Sequence, residues 1–230
     1  MSRFLLIPDL WFAPSIWQPV VALMQDKHRV HIADVFPGDH ADDWSTRVID
    51  ALTRHQPDTL VVHGTSSAWM TQVLAHCAHR PARLVLIAGL GVAGDQSRSL
   101  DDVLSDHPAN AIRGRVHHEG PQRSVAASVA VDAFYSHTDA DVTRAVGSIS
   151  IDNTLFTTPL GLLPAGVERH YIECVENQYV HIRAQRGYRD ALGITLTNTL
   201  HTGHLPMLTV PEALVACIAR VGINDSRYNR

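Results

Sequence analysis

The fold is decided by a stretch that reads Thr59-Leu60-Val61-Val62-His63-Gly64-Thr65-Ser66-Ser67-Ala68-Trp69. A short β-branched run meets a turn of small residues, and a helical pattern follows. This order is typical of a nucleophile elbow, in which a serine sits on a tight turn between a strand and a helix. Because the backbone approaches itself there, the residues two before and two after the serine must be small. With Ser66 as the nucleophile, those residues are Gly64 and Ala68.

A second alignment of this stretch takes His63 as the histidine of a Gly-His-Ser-x-Gly motif. The nucleophile position then falls on Gly64, and the site would be inactive. We prefer the alignment on Ser66. With Ser66 at the nucleophile position, the distance along the chain to the next predicted strand, Leu84 to Ala88, matches that in known proteins with this motif, whereas the alignment on Gly64 needs two extra residues. A further alternative is that Ser66 and Ser67 only cap the following helix, as serines often do.

The rest of the chain alternates between strand and helix patterns. Phe4 to Ile7 is a continuous apolar run, and further predicted strands end near Val35, Ala88, Val175 and Leu200. This alternation predicts an α/β fold with a mostly parallel sheet and helices on both faces. Ligands of such sheets bind at the carboxyl ends of the strands. We expect one domain, 1–230, with an inserted helical lid at about 94–145.

Composition limits the class of protein. The chain has 230 residues, is 45% hydrophobic and has a net charge of −4, with its 19 basic residues scattered along the sequence. This pattern favours a small-molecule substrate and argues against nucleic acid or a membrane surface as a partner. A homodimer is compatible with it. The cysteines at 77, 174 and 217 are widely spaced and predict free thiols in a reducing compartment, and the short apolar run at the amino terminus predicts a cytoplasmic protein.

A serine nucleophile needs a base at the same edge of the sheet. His204 is the candidate, because it lies between the last predicted strand and the last helix in Gly203-His204-Leu205-Pro206. The order serine, acid, histidine along the chain is the order found in the α/β-hydrolase fold.

Several blocks of the sequence resemble the α/β-hydrolase subfamily of plant methyl-ester esterases and hydroxynitrile lyases. They are Trp17 with the helix from Pro19 to Met24, Phe134-Tyr135-Ser136 with Asp139 to Val142, the block Tyr171 to Arg186, and Gly203 to Leu208 with Pro211 to Leu214. The resemblance covers nearly the whole chain and is most specific in the last block. It implies Ser66 as the nucleophile, His204 as the base, and the backbone amides of Leu10 and Ser67 as the oxyanion hole.

The sequence departs from the subfamily at three places. Pro8-Asp9 replaces the usual His-Gly after the first strand, so Asp9 places a side chain where the substrate approaches. Trp69 replaces a small residue three positions after Ser66. The acid falls on Asn177, which carries no charge to stabilise an imidazolium. Three carboxylates, Glu176, Asp132 and Asp139, are candidates to replace it, unless the enzyme needs no strong serine nucleophile.

Aromatic residues near these loops are candidates for the substrate pocket. They are Trp11, Trp69 and Phe134, with Asp9 as a polar member of the same pocket. We predict no cofactor, because the GxGxxG match at 89–94 comes late in the chain and is not followed by the strand of a dinucleotide-binding unit. We predict no metal, because no histidine pair has a third ligand at the spacing of a known site.

Three hypotheses follow from the sequence. The first is a serine esterase or thioesterase that acts on a small, fairly apolar substrate through Ser66 and His204. The second is a lyase, cyclase or isomerase that uses His204 as a general base, and it rests on Asp9, Trp69 and Asn177. The third is a catalytically silent protein that binds a small molecule.

Overall fold

The main sheet lies at the centre of a computed structural model that describes residues 1–92, 97–107, 109–144 and 146–223. The strands are β1 (Arg3–Ile7), β2 (Arg29–Ile32), β3 (Thr59–His63), β4 (Arg83–Ile87), β5 (Val116–Glu119), β6 (Gln122–Val125), β7 (Ile149–Asp152), β8 (Glu168–Cys174) and β9 (Leu196–Leu200). In the described residues the main sheet has six strands in the order β2-β1-β3-β4-β8-β9, and every neighbouring pair is parallel. The predicted α/β fold with a parallel sheet is therefore confirmed.

Helices connect these strands. They are α1 (Gln18–Met24), α2 (Ala41–His55), α3 (Met70–His76), α4 (Leu100–Ser105), α5 (Ala127–Phe134), α6 (Ala140–Arg144), α7 (Thr154–Thr157), α8 (Ile182–Ala191), α9 (Pro206–Thr209) and α10 (Pro211–Ile223). Two 3₁₀ helices, Pro14–Trp17 and Gly64–Trp69, precede α1 and α3. Among the described residues, no helix has the length and apolar composition needed to cross a membrane.

The strand register determines which loops meet. Strands β3 and β4 are buried along their whole length, as expected for central parallel strands covered on both faces. Ile7 pairs with Val62 and His63 pairs with Ile87, so the loops after β1, β3 and β4 leave the sheet at one edge. Cys174 pairs with Leu200, which brings the loops after β8 and β9 to the same edge.

The insertion between β4 and β8 differs in content from a purely helical lid. Besides short helices it contains a three-stranded antiparallel sheet in the order β5-β6-β7, and β7 and α7 extend it beyond residue 145. The sequence of β5, Val116-His117-His118-Glu119, lacks the alternation of apolar and polar residues that signals a strand, because most of this strand is exposed. The predicted lid boundaries, residues 94 and 145, lie outside the described residues.

Candidate active site

The turn after β3 has its left-handed residue at Gly64. Gly64 has φ +57°, while Thr65 to Trp69 continue as a 3₁₀ helix that leads into α3. A nucleophile elbow places its nucleophile on the sharp, strained turn itself. The backbone therefore favours the alignment on His63, in which the position of the nucleophile is occupied by Gly64 and not by Ser66.

Ser66 is buried, and its hydroxyl group is hydrogen-bonded to the backbone. Its Oγ donates a hydrogen bond to the carbonyl oxygen of Pro8 at 2.6 Å. The Nε2 atom of His204 has no hydrogen-bond partner among the described residues. The structure thus places Ser66 and His204 at the same edge of the sheet without the hydrogen bond that a serine–histidine pair uses to transfer a proton.

The carboxylate of Asp9 fills the space above Gly64. A Cβ atom built on Gly64 would overlap Asp9 Oδ2. The same Oδ2 accepts hydrogen bonds from the Thr65 amide at 2.5 Å and from Thr65 Oγ1 at 2.8 Å, and Oδ1 accepts one from the Trp11 amide at 3.0 Å. A carboxylate of the protein itself therefore occupies the volume that a side chain at the nucleophile position would need.

The amides that reach this carboxylate differ from those implied by the family resemblance. The resemblance implies the amides of Leu10 and Ser67, whereas the donors to Asp9 are the neighbouring residues Trp11 and Thr65. Thr65 directly follows Gly64, as the elbow donor follows the nucleophile. These amides bind Asp9 in the structure. Ser67 is buried, and its hydroxyl has no partner among the described residues.

Asp9 is buried completely, and this burial raises its pKa from 3.8 to about 6. The hydrogen bonds from Trp11 and Thr65 act in the opposite direction, because they stabilise the charged form, but desolvation is the larger effect. At neutral pH the carboxylate is mostly ionised, and its pKa is close to the working range of a general base.

This pKa predicts a pH-dependent stability. The native state holds the Asp9 proton more tightly than the unfolded chain does, so the contribution of Asp9 to stability is greatest at low pH and falls as the pH rises through about 4 to 6. We expect the free energy of unfolding of the wild type, relative to Asp9→Asn, to fall by about 2 kcal/mol between pH 4.5 and pH 7. Urea unfolding at both pH values measures it. In the exposed control Asp141→Asn, the free energy of unfolding should change with pH as it does in the wild type. The same pH dependence in Asp9→Asn and the wild type would contradict the interpretation.

His204 lies in the loop between β9 and α9 and is completely buried. Its Nε2 atom is 3.8 Å from Asp9 Oδ2, and its Nδ1 atom is 3.1 Å from Asn177 Nδ2. Burial lowers the pKa of His204 well below 6.5, and the nearby His63 lowers it further. His204 is therefore neutral at pH 7, and its contact with Asp9 is not an ion pair.

His63 also belongs to this site, although the sequence predicts no contact for it. Its Nε2 donates to the backbone carbonyl of His204 at 2.8 Å, and the two ring centroids are 4.5 Å apart. Burial lowers the pKa of His63 to about 4, so it is also neutral. His63 holds the loop that carries His204 against the end of β3.

The candidate acids on the lid side do not contact His204. Glu176 is partly exposed, with 43% of its side chain accessible, and lies 3.3 Å from His137 Nδ1. Asp132 is exposed and pairs with Arg115 at 3.3 Å. Asn177 is the side chain that contacts His204 Nδ1, at the position that the resemblance assigns to the acid.

Aromatic side chains surround the imidazole of His204. Phe134 and Tyr179 have ring centroids 5.5 Å and 5.2 Å from it, and Phe12 lies at 6.0 Å. Tyr179 also accepts a hydrogen bond from Trp11 Nε1 at 2.9 Å. Phe134 thus lies beside His204 and Trp11 beside Tyr179, and their role in a substrate pocket stays a prediction.

Trp69 belongs to a different environment. Its indole nitrogen donates to the carbonyl of Leu155 at 3.0 Å, and its ring packs against Trp44 with centroids 5.9 Å apart. These contacts join the helix after the elbow to α2 and α7. Within the described residues, no group of three or more His, Cys, Asp or Glu side chains is arranged to hold a metal ion.

Comparisons with known proteins identify similar structures. No family model matches the sequence, and no curated protein matches it. A pyrethroid hydrolase from Sphingobium faniae is 17% identical, with 99% of both chains covered and a TM-score of 0.77. Polyneuridine aldehyde esterase is 14% identical, with 96% of this chain and 99% of that chain covered and a TM-score of 0.78.

A third similar structure is an extracellular α/β-hydrolase from a Paenibacillus species. It is 15% identical, covers 96% of this chain and 98% of its own, and has a TM-score of 0.71. It is described as sharing structural and functional homology with tobacco salicylic acid binding protein 2. At these identities the likeness establishes a shared fold and no shared activity.

Proposed function

The chain has the α/β-hydrolase fold, and we propose that it is a proton-transfer enzyme of the lyase, cyclase or isomerase class, with Asp9 as its base. The observation that carries this proposal is the Asp9 carboxylate above Gly64, where the fold otherwise presents a nucleophile. Asp9 replaces His204 as the base of the second hypothesis, because the strongly lowered pKa of His204 makes its imidazole a weak base.

The surroundings of Asp9 suit a base for an uncharged substrate. The carboxylate is desolvated, which makes it a stronger base than a solvated aspartate, and its hydrogen bonds fix its orientation. Aromatic rings from the loop after β1, from α5 and from the loop after β8 enclose the site. These walls favour a small, apolar substrate.

Access to the site requires movement of the lid. Asp9 and His204 have no exposed surface, and Phe134 at the end of α5 is 1% exposed. Phe134 contacts Phe12, Tyr179 and His204, with centroid distances of 5.4, 4.9 and 5.5 Å. We therefore expect the substrate to displace Phe134, and a closed lid would then exclude water from the reaction.

Ester hydrolysis through Ser66 is the second candidate. It is favoured by the similar structures, among which are a pyrethroid hydrolase and polyneuridine aldehyde esterase. For this chemistry the Ser66 hydroxyl would have to leave the Pro8 carbonyl and bond to His204 Nε2, and the amides of Leu10 and Ser67 would have to hold the oxyanion.

A fluorophosphonate probe separates the two candidates. We expect the purified protein to remain unlabelled, because Ser66 lacks an activating base, while a serine esterase treated in parallel is labelled. Mass spectrometry of the intact protein measures the adduct. Stoichiometric labelling that disappears in Ser66→Ala would establish the esterase and overturn the proposal.

A further inference from the structure

The ring nitrogen of His204 that carries the proton restricts the kind of substrate that the site can bind. Building on the proposed function, we infer that the substrate is an uncharged carbonyl compound with a removable C–H proton next to the carbonyl. Its oxygen accepts a hydrogen bond from His204 Nε2, and Asp9 removes the proton from carbon.

The orientation of Asn177 fixes the tautomer of His204. Asn177 Oδ1 accepts hydrogen bonds from the backbone amides of Tyr179 and Val180 at 2.9 and 3.0 Å. Backbone amides only donate, so the atom they meet must be the oxygen of the carboxamide. The NH₂ group of Asn177 therefore points at His204 Nδ1 at 3.1 Å, and Nδ1 must accept.

A neutral imidazole that accepts at Nδ1 carries its proton on Nε2. This is the reverse of a serine triad, in which Nδ1–H donates to a carboxylate and Nε2 is free to act as the base. Protonating His204 would also set an N–H at Nδ1 against the NH₂ of Asn177. Because the site is buried as well, His204 stays neutral and serves as a hydrogen-bond donor.

The site therefore offers one donor and one base. Nε2–H of His204 has no acceptor within hydrogen-bond distance among the described residues, and Asp9 Oδ2 lies 3.8 Å away. The distance leaves Nε2–H available to an oxygen of the substrate. Arg123, whose charge acts on Tyr179, is already paired with Asp101 at 2.7 Å. In the part of the site that the structure describes, an anionic substrate would therefore meet the Asp9 carboxylate without a free cation to balance it, so the geometry selects an uncharged substrate.

The resulting step balances in atoms and charge. The C–H electron pair moves into the carbonyl group as the proton passes to an oxygen of Asp9, which gives an enolate and a neutral carboxylic acid. The hydrogen bond from Nε2 stabilises the enolate oxygen. Return of the proton to the same carbon regenerates the substrate, and return to another atom gives an isomer.

Hydrogen exchange tests this inference without knowledge of the natural substrate. Phenylacetone and 2-tetralone in D₂O, followed by proton NMR, report deuterium at the carbons next to the carbonyl. We expect the protein to accelerate this exchange on the order of 100-fold over buffer for these ketones. Phenylacetate, which has a similar ring but carries a charge, should not exchange.

Two variants and a control make the result specific. Asp9→Asn should remove the exchange, and Asn177→Asp should reduce it at least 10-fold by moving the proton to Nδ1. The exposed control Asp141→Asn should behave like the wild type. Absence of exchange for both ketones, or equal exchange in Asp9→Asn, overturns the inference. Labelling of Ser66 by the fluorophosphonate would instead overturn the proposed function itself.

Discussion

Gly64→Ala is expected to destabilise the fold by about 2–5 kcal/mol. A left-handed conformation costs a non-glycine residue about 1–2 kcal/mol, and Gly64 has φ +57°. The new Cβ would also overlap the carboxylate of Asp9, and overpacking of this kind costs about 1–3 kcal/mol. Urea unfolding at constant pH measures the sum.

Two further variants separate these contributions. Gly120 has φ +56° and no atom within 4 Å of the position of a Cβ, so Gly120→Ala should show only the conformational cost. Asp9→Gly in the Gly64→Ala background removes the overlap and should recover about 1–3 kcal/mol relative to the sum of the single changes. If the effects of Gly64→Ala and Asp9→Gly on the free energy of unfolding are strictly additive, Asp9 does not fill the space next to Gly64.

Asp9→Asn is expected to lower carbonyl exchange by at least about 100-fold, because general bases contribute about 10² to 10⁴ to rate. The asparagine has nearly the same shape, but it cannot take a proton at neutral pH. The NH₂ group of the asparagine would also face the amide of Trp11 or Thr65, donor against donor. An unfolding curve measures the resulting loss of stability separately.

The pH profile distinguishes loss of a base from loss of structure. In the wild type the exchange rate should rise with pH and level off above about 6, where Asp9 becomes ionised. Folded Asp9→Asn should show only a small rate without that rise. A wild-type profile that is flat from pH 5 to pH 8 would assign the base to another group.

Much of the fold follows from the sequence because the central strands are continuous apolar runs. Leu60 to Val62 and Leu84 to Leu86 have no exposed surface, and their short apolar runs are those expected of buried parallel strands. The insertion between β4 and β8 is harder to predict, since its strands have only four residues each and β5 is mostly exposed. His204 and Asn177 can be predicted because they lie in two recognisable blocks near the carboxyl terminus.

The sequence does not predict Asp9 as a base. The choice between Gly64 and Ser66 depends on which residue adopts the left-handed conformation, and a sequence pattern does not show a backbone angle. A sequence signal did exist. A missing side chain at Gly64 and an added one at Asp9, where the subfamily that the chain resembles has glycine, compensate each other in volume, but they lie far apart along the chain.

The tautomer of His204 tests the account most directly. Long-range ¹H–¹⁵N NMR correlation of protein labelled at histidine assigns the proton to one ring nitrogen, and His204→Gln identifies the signal. We predict a neutral ring at pH 7 with the proton on Nε2 and none on Nδ1, and a shift of the proton to Nδ1 in Asn177→Asp. A proton on Nδ1 in the wild type, or a doubly protonated ring, would contradict it.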